Sequence, residues 1–95
     1  MTDASAEQAA AIVMYESKWC GYCRAAKRLL DSKGWEYKSL VVDGDAALRA
    51  DMTSKTGRTS VPQIFFGELH IGGYDDLAEL ESNGELDQAY ADIGT

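Results

Sequence analysis

Ala11-Ile12-Val13-Met14-Tyr15, then Trp19-Cys20-Gly21-Tyr22-Cys23-Arg24, then Ala25-Ala26-Lys27-Arg28-Leu29-Leu30 make up the stretch that decides the fold. The first run is short, apolar and rich in β-formers, whereas the last is built from strong helix formers. A strand running into a helix is the expected local structure, with Cys20 at the helix N-terminus. Cys20 and Cys23 are the only two cysteines among the 95 residues, and in that context the pair reads as a redox-active dithiol. As a permanent staple it would close a very small loop and constrain the unfolded chain little.

The unpaired N–H groups and the macrodipole of a helix start favour negative charge, and a thiolate is such a charge. Free cysteine titrates near about 8.5, and a helix N-terminus with cations nearby lowers this to roughly 3.5 to 7.5 in Cys-x-x-Cys motifs. Lys18, Arg24, Lys27 and Arg28 supply those cations in sequence. Cys20 is therefore the expected nucleophile. Cys23, one turn later, is the expected resolving thiol that attacks a mixed disulfide formed on Cys20. Two other readings fail on residue type: haem attachment needs histidine where Arg24 stands, and structural zinc needs four ligands where only two cysteines and His70 are on offer.

Length and a 45% hydrophobic content suit one small domain, with residues 1–10 a flexible extension and residues 11–95 the folded part. No stretch reaches the roughly 20 apolar residues of a membrane span, and no secretory signal pattern opens the chain, so a soluble cytoplasmic monomer is expected. The net charge of -7 is uneven: residues 1–58 hold all nine bases against eight acids, and residues 59–95 hold eight acids alone. Nucleic acid is a poor partner for such a surface.

Outward from the dithiol, the first helix is expected over about 21–33, ending at Gly34, and a second strand over Trp35–Val42. Asp45 is placed to cap a helix over about 46–55, closed by Gly57. Gln63–Phe66 and Leu69–Ile71 around Gly67-Glu68 read as a hairpin, followed by helices from Asp75 and from Glu85 to Tyr90. Met14, Leu29, Leu30, Val41, Ile64, Phe66 and Leu77 are the expected core. The sum is an α/β chain with a four-stranded mixed sheet and helices on both faces, a thioredoxin-like fold.

Three segments in this order resemble a glutaredoxin of the dithiol class: Cys20-Gly21-Tyr22-Cys23, Arg58-Thr59-Ser60-Val61-Pro62-Gln63-Ile64-Phe65, and His70-Ile71-Gly72-Gly73-Tyr74-Asp75-Asp76-Leu77. Thioredoxins share the dithiol and the proline but typically carry Trp-Cys-Gly-Pro-Cys and lack the Gly-Gly-x-Asp-Asp segment. The resemblance implies a cis peptide before Pro62, facing the dithiol, and a groove in which glutathione pairs with the backbone at Val61. It further implies glutathione contacts from Tyr22, Ser60, Gly73, Tyr74 and Asp75, the Asp75 carboxylate meeting the ammonium group. On the residues alone Asp75 is also read as a helix cap. For the glycine carboxylate the candidate cations are Lys18, Arg49 and Arg58, with Lys18 preferred; the family often has lysine where this chain has Ser17. His70 reads as structural.

The implied activity is glutathione-dependent thiol–disulfide exchange on protein disulfides and glutathionylated proteins, with ribonucleotide reductase a candidate substrate. An alternative from a different class is carriage of a [2Fe-2S] cluster between two protomers, each giving its Cys20 thiolate, with two glutathiones completing the four sulfurs. Gly21, where many relatives have proline, keeps that alternative open.

Overall fold

Alternate side chains of a strand point to opposite faces, and along β1 (Ile12–Glu16) this rule divides the core in two. Ile12 and Met14 join Ile64 and Phe66 of β3 (Gln63–Phe66) on one face. Against them pack Ala26 and Leu30 of α1 (Gly21–Ser32), Leu77 of α3 (Tyr74–Ser82) and Leu86 of α4 (Leu86–Ala91). Tyr15 and Val42 lie on the other face under Met52 of α2 (Ala46–Thr56), with Val13, Leu40 and Phe65 partly buried beside them. Each large apolar side chain fully buried this way contributes roughly 1.5–3 kcal/mol of transfer free energy.

The computed structural model describes residues 11–93, and the extension expected over residues 1–10 lies outside them. β2 (Lys38–Val41) and β4 (Leu69–Gly72) complete a sheet in the order β2-β1-β3-β4. β1 and β2 run parallel, the crossover being α1, while β3 lies antiparallel to both β1 and β4. The thioredoxin-like fold with its four-stranded mixed sheet flanked by helices is therefore present as expected.

Two details differ from expectation. The second strand covers Lys38–Val41 and not Trp35–Val42. Trp35 is drawn out of the strand direction because its ring stacks on Tyr90 at 4.0 Å and meets Phe66 edge-on at 6.0 Å. Val42, not Val41, is the buried valine. Leu40 and Val42 share the face that α2 covers, and strand alternation turns Val41 away from it. Lys33 ties the end of α1 to the C-terminal helices, with its ammonium 2.7 Å from Glu81 and 3.0 Å from Asp87.

Candidate active site

Cys20 is the N-cap of α1, held in an extended conformation (φ -104°, ψ 115°). Its sulfur accepts the Cys23 backbone N–H at 3.1 Å, so the thiol occupies the position a capping oxygen normally takes. The Cys20 thiol also lies 3.7 Å from the Val61 carbonyl oxygen, across the gap between α1 and the start of β3. Cys20 is partly exposed and Cys23 is fully buried, and both are free thiols. Burial, followed by the hydrogen bond with Cys20, pushes the Cys23 thiol up to about 12.

The segment leading into Cys20 is wired to the opposite loop by one carboxylate. Asp43 accepts the Lys18 backbone N–H at 2.8 Å and the Ser17 hydroxyl at 2.7 Å. The Ser17 oxygen in turn accepts the Trp19 N–H at 3.2 Å. These two bonds, the Lys18 N–H foremost, hold the Asp43 carboxyl below its ordinary value. Trp19 and Tyr22 are left largely exposed on either side of Cys20.

A cavity of about 310 Å³ opens beside Tyr22. Ser60, Val61 and Pro62 line it from the segment before β3, and the Val61–Pro62 bond is cis. Gly73, Tyr74 and Asp75 line it from the start of α3. The Tyr22 and Tyr74 rings are near parallel, 24° apart in plane, with centroids 6.2 Å apart. One glycine makes that helix start possible. Gly72 sits at φ 120°, and a Cβ there would run into the Asp76 carboxylate, whereas a Cβ on Gly73 would only touch the Pro62 carbonyl at an ordinary 3.4 Å.

The family model for glutaredoxin matches residues 12–71. A glutaredoxin of Pseudomonas aeruginosa is 49% identical over 76 residues, covering 80% of this chain and 90% of that one. Glutaredoxin 3 of Escherichia coli K12 is 49% identical over 76 residues, covering 80% and 92%. The chain belongs to the glutaredoxin family. A buckwheat glutaredoxin–glutathione complex superposes on this glutaredoxin with a TM-score of 0.82 at 31% identity, over 96% of this chain and 88% of that one. Membership makes it a thiol–disulfide oxidoreductase, with Cys20 and Cys23 as its two thiols.

In this glutaredoxin the cavity brings together seven of the residues named from sequence: Tyr22, Ser60, Val61, Pro62, Gly73, Tyr74 and Asp75. Of the three candidate cations, Arg58 lines it and Lys18 and Arg49 do not. The Arg49 guanidinium is directed to the Thr59 carbonyl at 3.4 Å, and Arg58 lies 3.4 Å from the Asp76 carboxylate. The capping role read for Asp75 belongs to Asp76, whose carboxylate accepts the Gly73 N–H at 2.9 Å. The reason is register: α3 begins at Tyr74, so Asp76 is its third residue, the place from which an acid reaches back to the N-cap.

Gln63 and Asp76 also line the cavity and were missed as site residues. For Asp76 the signal was present, an acid three residues after the second glycine of the pair that follows the hairpin. Nothing local marks Gln63, because its partners Ser60 and His70 are brought to it by the cis turn and by the hairpin. Among the described residues no helix is long and apolar enough to cross a membrane, and no cluster of three or more His, Cys, Asp or Glu is arranged to hold a metal.

Proposed function

We propose that this glutaredoxin uses glutathione to reduce glutathionylated proteins and protein disulfides. The observation that carries this reading is the contact of the partly exposed Cys20 sulfur, 3.7 Å from the Val61 carbonyl, with a residue that lines the cavity together with Pro62, Gly73 and Asp75, although Cys20 itself does not line it. An extended tripeptide suits such a site: its backbone pairs along Val61 like an added strand, and a carboxylate meets the N–H groups at the start of α3. Asp75 and Asp76 offer acceptors to an ammonium group, and Arg58 offers a cation to a carboxylate. The cavity volume lies at the lower end of the range for small-ligand sites.

In this scheme the Cys20 thiolate attacks the glutathione sulfur of a glutathionylated protein, and the protein thiolate leaves and takes up a proton. A second glutathione thiolate then attacks the bound glutathione sulfur, giving glutathione disulfide and free Cys20. With a protein disulfide, Cys20 forms a mixed disulfide with one substrate sulfur and expels the other. Cys23 loses its proton and attacks the Cys20 sulfur, releasing the reduced protein, and two glutathiones reduce the Cys20–Cys23 bond. Ribonucleotide reductase, suggested by the family resemblance, is the candidate substrate for this second route.

The test is glutathione-coupled reduction of a glutathionylated peptide by the parent, Cys20→Ser and Cys23→Ser. Loss in Cys20→Ser with retention in Cys23→Ser is the expected result; activity surviving in Cys20→Ser would overturn the assignment.

Gly21 favours one further reading, a [2Fe-2S] cluster bridged by two protomers. A side chain added at Gly21 would meet nothing within 4 Å, so the surface next to Cys20 in sequence is open at that position. One chain offers a cluster only Cys20, since Cys23 is fully buried, and external glutathione thiolates would have to supply the rest. Iron content and oligomeric state after anaerobic purification with glutathione decide it.

A further inference from the structure

Gln63 is a buried polar side chain, 1% exposed, and each of its amide atoms is committed. Its Nε2 lies 3.0 Å from the Ser60 carbonyl oxygen and 3.4 Å from the Ser60 hydroxyl, and its Oε1 lies 2.7 Å from His70 Nε2. The Ser60 carbonyl can only accept, so the amide NH2 must face it and Oε1 must face the histidine. Oε1 can only accept in turn, which requires His70 Nε2 to carry the hydrogen. The ring also packs against Phe65, tilted by 31° with centroids 5.0 Å apart. The chain of donors thus runs in one direction, from the His70 ring through Gln63 to Ser60, and Ser60 directly precedes Val61, whose carbonyl faces Cys20.

We propose that His70, acting through Gln63, is a positioning residue that fixes the Ser60-Val61-Pro62 edge against which the thiol substrate is laid. It does not touch the substrate: Ser60, Val61, Pro62 and Gln63 line the cavity and His70 does not. The kinetic part rests on the glutathione reading above. The donor Nε2–H exists both in the neutral Nε2–H tautomer and in the imidazolium, so the relay survives protonation of His70. It is a fixed strut and not a pH switch. Burial foremost, and then Arg58, disfavour the imidazolium, while Asp76 favours it.

Three variants separate positioning from bulk stability. His70→Leu keeps an apolar ring-sized group on Phe65 but removes the donor. His70→Gln puts an N–H donor back near the Nε2 position. Gln63→Glu keeps the shape but loses the NH2 that Ser60 needs. With the glutathionylated peptide as substrate, His70→Leu and Gln63→Glu are expected to raise KM about three- to tenfold, the range of one net hydrogen bond, with kcat within about twofold. His70→Gln is expected to restore most of the loss. Equal KM values in parent and His70→Leu would overturn the proposal, as would equal losses in the Leu and Gln variants.

An NMR readout independent of activity accompanies this. The 15N shifts of the ring should report Nε2–H at neutral pH, and the Ser60 amide resonance should move in His70→Leu and return in His70→Gln. A ring protonated on Nδ1 alone would overturn the relay. A parent inactive on the peptide would overturn the glutathione reading instead, and the NMR result would then judge the relay by itself.

Discussion

The backbone N–H of Cys23 donates to the Cys20 sulfur at 3.1 Å while the Cys23 sulfur itself is fully buried beneath it. One residue therefore serves its partner twice, through its amide as a cap and through its thiol as a reserve. The two cysteines stand three positions apart at one helix start with opposite environments, one partly exposed and the other in the core.

Burial of the Cys23 thiol gives a pH signature. Its pKa is raised by the fold from an ordinary 9.0 to about 12, so the proton is held more tightly in the native state. The stability it contributes is fully present below about pH 9 and is lost as pH rises toward 12. Denaturant unfolding of the reduced parent and of Cys23→Ser should give a stability difference that is constant below pH 9 and shifts against the parent above it. A difference unchanged between pH 8 and 11 would contradict this.

Asp43 clamps Ser17 and Lys18, so its removal should loosen the entry to Cys20 without touching the core. Asp43→Ala is expected to lower kcat/KM on the glutathionylated peptide about three- to tenfold, while Asp43→Asn, which keeps one acceptor, loses less. The carboxyl is depressed in the fold, so the clamp's contribution is present above the usual 3.8 and fades as pH falls below it. A rate in Asp43→Ala equal to the parent's would show that the clamp is idle.

Glu16 ends β1 only 3% exposed, and its partner Lys27 reaches it at 2.7 Å from α1. Lys27→Met leaves that carboxylate unpaired in the interior. Breaking a fully buried pair costs roughly 3–5 kcal/mol. Because Lys27 remains 34% exposed, about 2 kcal/mol is expected here. Glu16 raises the Lys27 pKa above 10.5, so the contribution holds below that pH and is lost above it. Urea unfolding at pH 7 and at pH 11 should show the variant's deficit shrinking at the higher pH.

Gly72→Ala is expected to be costly for two separate reasons. Its φ of 120° is strained for a residue with a Cβ, at about 1–3 kcal/mol, and the added carbon displaces Asp76 from the Gly73 N–H, a cap worth about 1 kcal/mol. Unfolding should report the sum, and KM on the glutathionylated peptide should rise because the same helix start lines the cavity. An unaltered KM in a folded Gly72→Ala would argue that nothing binds at that end.

Local chemistry made much of this legible. The strand-to-helix junction at Cys20, the caps at Cys20 and Asp45, and the left-handed glycine after α2 each declare themselves within a few residues, and the structure has all of them. What escaped was set by contacts between distant segments. Trp35 has the propensity of a strand residue and leaves the strand because Tyr90, 55 positions later, offers its ring a stacking partner. Gln63 reads as an ordinary strand-opening polar residue until the hairpin delivers His70 to it. Ser17 reads as a plain polar residue ahead of the dithiol, and its bond to Asp43 is visible only once the β2–α2 loop is in place.

The two tryptophans divide the molecule in a way an optical experiment can use. Trp19 is 86% exposed and adjoins Cys20, whereas Trp35 lies beyond the far end of α1, clamped between aromatic rings. Red-shifted emission from the first will feel the sulfur beside it become a disulfide, and the second will stay silent until the rings around it part. One unlabelled fluorescence spectrum thus carries two gauges, one of redox state and one of folding, and replacing either tryptophan by phenylalanine separates them.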